Sequence, residues 1–283
     1  MMRMGSANNA SSAQESAIVL WDEGRLQVVA EAAPILERHG LTTFRSLYDF
    51  QSHNIAKNFL KERVTVRIEL ASDEGSHPFY LKRHSPVKFR EYLKSWIRLR
   101  KPIIGAFHEW DALRAWRSIL LPTQTPIAFG RDGGNSLLLT AALDKCDKLS
   151  WLMEMDESGA LPISPRRRQE LTRSVARLIR RMHDLGWHHQ DCYCGHVMIR
   201  REDSQPFLID LGRACRFRGF RKYWIRKDLA QFAYSARRVS LSDQFRFLRA
   251  YWGRPFRNWE RRWCRKILRR VQAISRHSEK RKN

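Results

Sequence analysis

Two aspartates and their neighbours carry the strongest chemical signal in the sequence. Asp191 stands inside His188 to Ile199, which reads HHQDCYCGHVMI, and Asp210 stands inside FLIDLGRA. They are 19 positions apart (191 to 210), a span that folds back readily as a short hairpin. Met198 and Ile199, then Phe207, Leu208 and Ile209, are short apolar runs of strand type, and Arg200 to Pro206 is the polar turn between them. Carboxylates brought together in this way suit phosphoryl transfer. One accepts the proton of the attacking hydroxyl while the other holds Mg²⁺ against the phosphates of ATP. The plainer reading is that His-x-Asp recurs by chance, so the motif alone is a hypothesis. Zinc is a second chemistry for the same stretch, because His183, His188, His189, Cys192, Cys194 and His196 lie within 14 residues. The spacing argues against it: there is no Cys-x-x-Cys pair, and Cys-x-Cys is not the usual finger spacing.

Other elements must position these groups. Asn58 to Leu70 alternates Val64, Val66, Ile68 and Leu70 with polar residues and reads as a strand of period two. After a turn at Asp73 to Ser76, Phe79 to Arg83 is the next strand and carries Lys82. A lone strand lysine is ordinarily solvated. Glu109 changes its meaning, because it opens an amphipathic helix with Trp110, Leu113, Trp116 or Arg117, and Leu120 at helical spacing, stopped by Pro122. A helical glutamate following a strand lysine is the ion-pair partner that ATP-dependent phosphoryl transfer calls for. Between them, Arg90 to Lys101 is basic with interleaved aromatics: an insert facing substrate or membrane, or a solvated helix face. Ser136 to Leu143 reads as a buried strand leading to a hinge near Asp144. Ser164 and Pro165 form an N-cap with proline at the first helical position. Leu171, Val175, Leu178, Met182 and Leu185 then mark the core face of a helix that Gly186 ends, just before the Asp191 loop.

In this order the elements resemble a kinase, with Asp191 in the catalytic loop and Asp210-Leu211-Gly212 in place of Asp-Phe-Gly. The expected fold is α+β and two-lobed, protein-kinase-like, with a small antiparallel-sheet N-lobe and a mainly helical C-lobe. The expected division is a disordered N-terminus at 1–16, an N-terminal extension and N-lobe at 17–143, and a C-lobe at 144–283 ending in a basic amphipathic helix. No glycine occurs between Asn58 and Leu70, so the glycine-rich phosphate loop of protein kinases is missing. That disfavours a protein substrate.

The chain has 283 residues and 43% hydrophobic residues, enough to bury a core. Its 53 Lys/Arg against 29 Asp/Glu give +24, which points to anionic partners. The charge is uneven: from Arg213 onward there are 23 Lys/Arg and 4 Asp/Glu, an excess of 19. Five cysteines, two of them one residue apart, do not suggest a disulfide framework and fit a reducing compartment. The start lacks the apolar segment of a secretory leader, and no run of 18 apolar residues occurs. The expected location is therefore cytoplasmic.

The motifs resemble those of the lipopolysaccharide core heptose(I) kinases and the related 3-deoxy-manno-octulosonate kinases. Their loop reads His-Arg-Asp-Cys-Tyr-x-Cys-His, and here it is His189-Gln190-Asp191-Cys192-Tyr193-Cys194-Gly195-His196. FYLKRH (Phe79 to His84), KPIIGAFHEWDAL (Lys101 to Leu113), IDLGRA (Ile209 to Ala214) and RKYWIRKDLAQFAYSA (Arg221 to Ala236) resemble further family segments. The likeness runs from about Asn58 to the C-terminus. It implies transfer of the ATP γ-phosphate to a sugar hydroxyl of the lipopolysaccharide inner core. It also implies Lys82 and Glu109 as the nucleotide-positioning pair, Asp191 as the base and Asp210 as the Mg²⁺ ligand. His196 stands where protein kinases place a metal-binding asparagine, and imidazole suits Mg²⁺ poorly, so phosphate is the alternative contact. Gln190 departs from the family's arginine and Gly212 from the usual histidine of the heptose kinases. The implied partners are the core glycolipid and an anionic membrane surface, with the enzyme peripheral on the inner face of the bacterial inner membrane.

Two other readings compete. One is a protein-kinase-like enzyme acting on another small or protein substrate. The other is a basic nucleic-acid-binding module, because the tail from Phe256 mixes Trp259, Trp263, Ile267, Val271 and Ile274 with arginines. Those apolar residues recur every three or four positions, however, and so form one helical face packed on the lobe.

Overall fold

The computed structural model describes residues 16–51, 55–60, 63–73, 75–86, 105–216, 219–236, 239–255 and 257–279. The expected disordered N-terminus (up to residue 15) and the basic Arg90 to Lys101 insert lie outside the described residues.

The first half is built on one antiparallel sheet. Its strands are β1 (Ile18–Trp21), β2 (Leu26–Val29), β3 (Ile55–Leu60), β4 (Arg63–Ser72), β5 (Gly75–His84), β6 (Pro126–Asp132) and β7 (Asn135–Ala141), in the order β1-β2-β6-β7-β5-β4-β3. The period-two reading holds for β4, where Val66, Ile68 and Leu70 are buried on one face. The stretch from Asn58 to Leu70 is nevertheless two strands, because the chain reverses between the paired residues Leu60 and Arg63. Alternation alone does not reveal such a reversal, since a tight hairpin preserves it on both sides.

The N-terminal extension is more than packing. β1 and β2 extend the sheet, with Leu26 opposite Gly130 on β6. Two short helices, α1 (Ala33–Arg38) and α2 (Phe44–Tyr48), then bury Leu36, Phe44 and Leu47 against it. Glycine is required at Gly130: an added Cβ would sit 2.8 Å from the Phe44 ring and 3.2 Å from Leu137 and Leu26.

Between β5 and β6 lies α3 (Phe107–Ser118), which buries Glu109, Trp110, Ala112, Leu113 and Trp116. It ends before Pro122. Leu120, expected on its core face, lies beyond the helix at φ +55° and is exposed. The core residues of α3 join the hydrophobic cluster of the second half, so this helix ties the sheet to the helical half of the chain.

The second half is mainly helical: α4 (Leu149–Glu157), α5 (Pro165–Asp184), α6 (Arg221–Ser235), α7 (Leu241–Trp252) and α8 (Asn258–Glu279). Ser164 caps α5 by accepting the Arg167 N–H at 3.3 Å, with Pro165 in the first turn. Leu171, Val175, Leu178 and Met182 are its buried face, as their spacing predicts. The short strands β8 (Cys146–Lys148), β10 (Val197–Arg200) and β11 (Pro206–Leu208) form one small sheet, and β9 (Trp187–His188) pairs with β12 (Cys215–Arg216). On α8 Ile267 is buried, while Trp263, Val271 and Ile274 pack partly buried on the same core. The tail is thus a packed helix with a basic outer face.

Candidate active site

The site forms where the sheet, α3 and the β10–β11 hairpin converge. On β5, Lys82 sits opposite Thr65 of β4 and Leu138 of β7. Leu81 turns to the sheet's other core, so Lys82 projects toward α3. Its Nζ donates to Glu109 Oε1 at 2.5 Å, and the two side chains are 16% and 5% exposed. Burial alone would lower the lysine pKa, but Glu109 and then Asp210 outweigh it and hold the ammonium charged. Burial pushes the Glu109 carboxyl up against the pull of Lys82.

The hairpin delivers the second carboxylate. Val197 pairs with Leu208 and Ile199 with Pro206, and the Ile209 N–H donates to the His196 carbonyl at 3.0 Å. Asp210 follows in the left-handed region at φ 62°, ψ 60°, and heads the 3₁₀ turn Leu211–Arg213. Non-glycine residues seldom occupy this conformation, and it gathers at functional sites. Partial desolvation works to raise the Asp210 pKa, although its side chain reaches the cleft. Lys82, then His196 and His189, overcome it and keep the carboxylate below its ordinary value.

His196 joins the two aspartate segments. Its Nδ1–H donates to the Asp191 carbonyl at 2.7 Å, and its Nε2 lies 3.5 Å from Asp210 Oδ2. The Asp191 carboxylate is engaged by Arg213, whose Nε is 3.3 Å from Oδ2 and whose Nη1 is 3.4 Å from Oδ1. The structure therefore brings Lys82 to Glu109, and His196 to both Asp191 and Asp210. All five residues singled out from the sequence fall in this one region.

Two anchors escaped the sequence reading. Arg213 is one; Asp228 on α6 is the other. Asp228 is fully buried and accepts the backbone N–H of His189 at 2.9 Å and of Gln190 at 2.8 Å, with His183 Nε2 at 3.2 Å. It fixes the turn before Asp191, where Gln190 takes a left-handed φ of 65°. Gln190 also donates to Cys215 Sγ and accepts from Lys227 Nζ, so it links the loop to β12 and α6. A signal was present: Asp228 is one of 4 acids in a segment with 23 bases.

The dense His/Cys stretch divides in space. Cys192 and Cys194 are buried, and burial pushes their thiols up, that of Cys194 to about 12. Among the described residues neither cysteine lies in a group of ligand-type side chains close enough to hold a metal ion. Among the described residues, His183, His188 and Asp228 do place ligand-type atoms within 4.8 Å of one another. Both Asp228 oxygens, however, are occupied by the backbone N–H groups of His189 and Gln190, and His183 Nδ1 by Tyr251 Oη at 2.7 Å.

A charged lysine held by a helical glutamate, set before two aspartates that a loop and hairpin bring together, is the working arrangement of a two-lobed kinase. Similarity to known proteins narrows this class. The model of the lipopolysaccharide kinase (Kdo/WaaP) family matches residues 58–251, and the chain belongs to that family. The lipopolysaccharide core heptose(I) kinase WaaP of Escherichia coli is 29% identical over 210 residues, covering 70% of this chain and 78% of that protein. WaaP of Pseudomonas aeruginosa is 29% identical over 236 residues, covering 75% and 86% respectively. The solved structure of WaaP in complex with acyl carrier protein superposes with a TM-score of 0.64 at 25% identity, covering 93% of this chain and 98% of that one.

Proposed function

We propose that this chain transfers the γ-phosphate of ATP to a sugar hydroxyl of the lipopolysaccharide inner core. The observation that carries the reading is the convergence of Asp191 and Asp210 on His196 in front of the Lys82–Glu109 pair. In this reading Asp191 accepts the proton of the attacking sugar hydroxyl, with Arg213 orienting its carboxylate. Lys82, kept charged and in place by Glu109, positions the nucleotide phosphates. His196 is a strut between the two aspartates. Mg²⁺ fits Asp210, whose side chain is 52% exposed and offers the hard oxygen donors this ion prefers; the imidazole of His196 does not suit it. When bound, the ion neutralises charge on the transferring phosphoryl group. Residues 17–143 would then serve as the nucleotide lobe and 144–283 as the acceptor lobe.

Heptose is the acceptor favoured by the names of the relatives, with 3-deoxy-manno-octulosonate as the alternative. Incubation with ATP and truncated lipopolysaccharide, followed by fragmentation mass analysis, tests both. Phosphate on the heptose supports the first and on the octulosonate the second. An unmodified glycolipid refutes the assignment.

We further propose that the enzyme works as a peripheral protein on the anionic inner face of the inner membrane. Among the described residues no helix is long and apolar enough to cross a membrane. Support comes from the basic outer face of α8 and from an open groove of about 780 Å³ lined by Arg173, Arg177, Arg246, Arg249 and Arg254. Leu241 and Phe245 stand exposed on α7 beside it. Trp263 is partly buried against the core, and the main attraction comes from charge, at about 1 kcal/mol per basic residue near the surface. Co-sedimentation with anionic but not neutral liposomes, falling with salt, is the expected result. Equal binding to both, or none, refutes it; capture by a carrier protein instead would turn this surface into a protein-docking face.

A further inference from the structure

We propose that Arg63 grips the β- and γ-phosphates of ATP from the hairpin side of the cleft, in the position that a glycine-rich loop holds in protein kinases. This rests on the ATP-kinase reading above and adds a residue to it.

Ile55 to Ser72, which contains the whole β3–β4 hairpin, has no glycine in its sequence. A glycine-rich loop works because its bare backbone approaches the phosphates closely enough for N–H groups to cradle them. A hairpin without glycine must meet the same charge with a side chain.

The strand register selects which one. Arg63 opens β4 directly after the reversal and pairs with His84, while Thr65 pairs with Lys82. Side chains directly opposite each other in an antiparallel pair share a face. Arg63 and Thr65 therefore project on the face that carries Lys82 and His84. Val66, Ile68 and Leu70 occupy the opposite face, in the sheet's other core. Arg63 is thus the basic residue closest to the hairpin tip on the cleft face of β4.

Electrostatics agrees with that placement. The Arg63 charge acts on Lys82, His84, Glu109 and Asp210 together, so it lies within the field of the catalytic groups. Two cations, Arg63 and Lys82, then flank the approach to Asp210. A guanidinium adds what an ammonium lacks, a planar fork that holds phosphate oxygens bidentately.

The test is calorimetric binding of ATP and of AMP to the wild-type protein, Arg63→Ala and Arg63→Lys. AMP keeps the adenosine and the α-phosphate but lacks the β- and γ-phosphates that Arg63 is assigned to hold. Losing a charge-assisted phosphate contact should weaken ATP binding about tenfold to a hundredfold in Arg63→Ala. AMP binding should stay within about twofold of wild type, and Arg63→Lys should recover part of the loss. Undiminished ATP binding in Arg63→Ala overturns the proposal. An equal loss for ATP and AMP also overturns it, since Arg63 would then merely support the hairpin. A wild-type protein that binds no ATP would overturn the kinase reading itself, and this inference with it.

Discussion

Replacing Asp228 with alanine should cripple the enzyme although Asp228 is remote from the attacking hydroxyl. The carboxylate is fully buried and receives two backbone N–H groups, from His189 at 2.9 Å and Gln190 at 2.8 Å. Alanine leaves both donors without this partner, the His189 N–H buried and the Gln190 N–H half-buried. Each such group costs about 1–3 kcal/mol, so the folded state loses roughly 2–6 kcal/mol. Set against a total stability of about 5–15 kcal/mol, this is a large share, and it should lower Tm by on the order of 10 °C. The catalytic consequence is separate. Those two N–H groups fix the turn that presents Asp191, and a misplacement of about 1 Å can cost around 10²-fold in rate. The assay is thermal unfolding, followed by steady-state turnover well below the variant's own Tm. Turnover should fall about tenfold to a hundredfold with ATP affinity preserved, because the Lys82–Glu109 pair is untouched. Asp228→Asn retains one acceptor oxygen and should fall between. Wild-type Tm and turnover in Asp228→Ala would refute the loop-anchoring argument.

Glu109→Gln leaves the Lys82 ammonium buried without its counter-charge, and breaking a buried pair costs about 3–5 kcal/mol, so both Tm and ATP affinity should drop; unchanged KM for ATP would remove the pair from nucleotide positioning. Acid should destabilise the fold through two buried histidines. Burial first, then His183, depresses His188 to about 4; burial, then Arg63 and Lys82, does the same to His84. Both folded values lie below the unfolded value of about 6.5, so the unfolded chain takes up protons first and stability is lost as pH falls from about 6.5 to about 4. Each histidine contributes at most about 1.4 kcal/mol per pH unit. Neither ring nitrogen of His188 has a hydrogen-bond partner among the described residues, so His188→Leu should raise Tm and flatten the pH profile; a lowered Tm at about pH 5 would contradict this.

Much of this site was legible because phosphoryl transfer restricts residue type and order. Lys82, Glu109, Asp191 and Asp210 are charged groups in an order that names a chemistry, and α5 follows from its apolar spacing and its Ser164–Pro165 start. The features that stayed hidden depend on distant contacts. β1 and β2 are too short for periodicity to register, and the pairing of β2 with β6 places Leu26 opposite Gly130, a contact between residues about 100 positions apart. Leu120 sits at helical spacing after Trp116, yet the chain leaves the helix at Ser118. Asp228 reaches back nearly 40 positions, |i−j| of 38 and 39, to backbone groups of the loop, a link that no local pattern encodes. Arg213 was adjacent to a recognised motif, but a single arginine among 23 basic residues gave no cue that it faced Asp191.

The most direct test of the central claim is single-turnover phosphoryl transfer from ATP to lipopolysaccharide core glycolipid by wild-type protein and Asp191→Asn. Asparagine keeps the size of the side chain but cannot accept the hydroxyl proton. The variant should bind ATP like the wild type, unfold at nearly the same temperature and transfer about 10²–10⁴-fold more slowly. Transfer at the wild-type rate would contradict the assignment of Asp191 as the base.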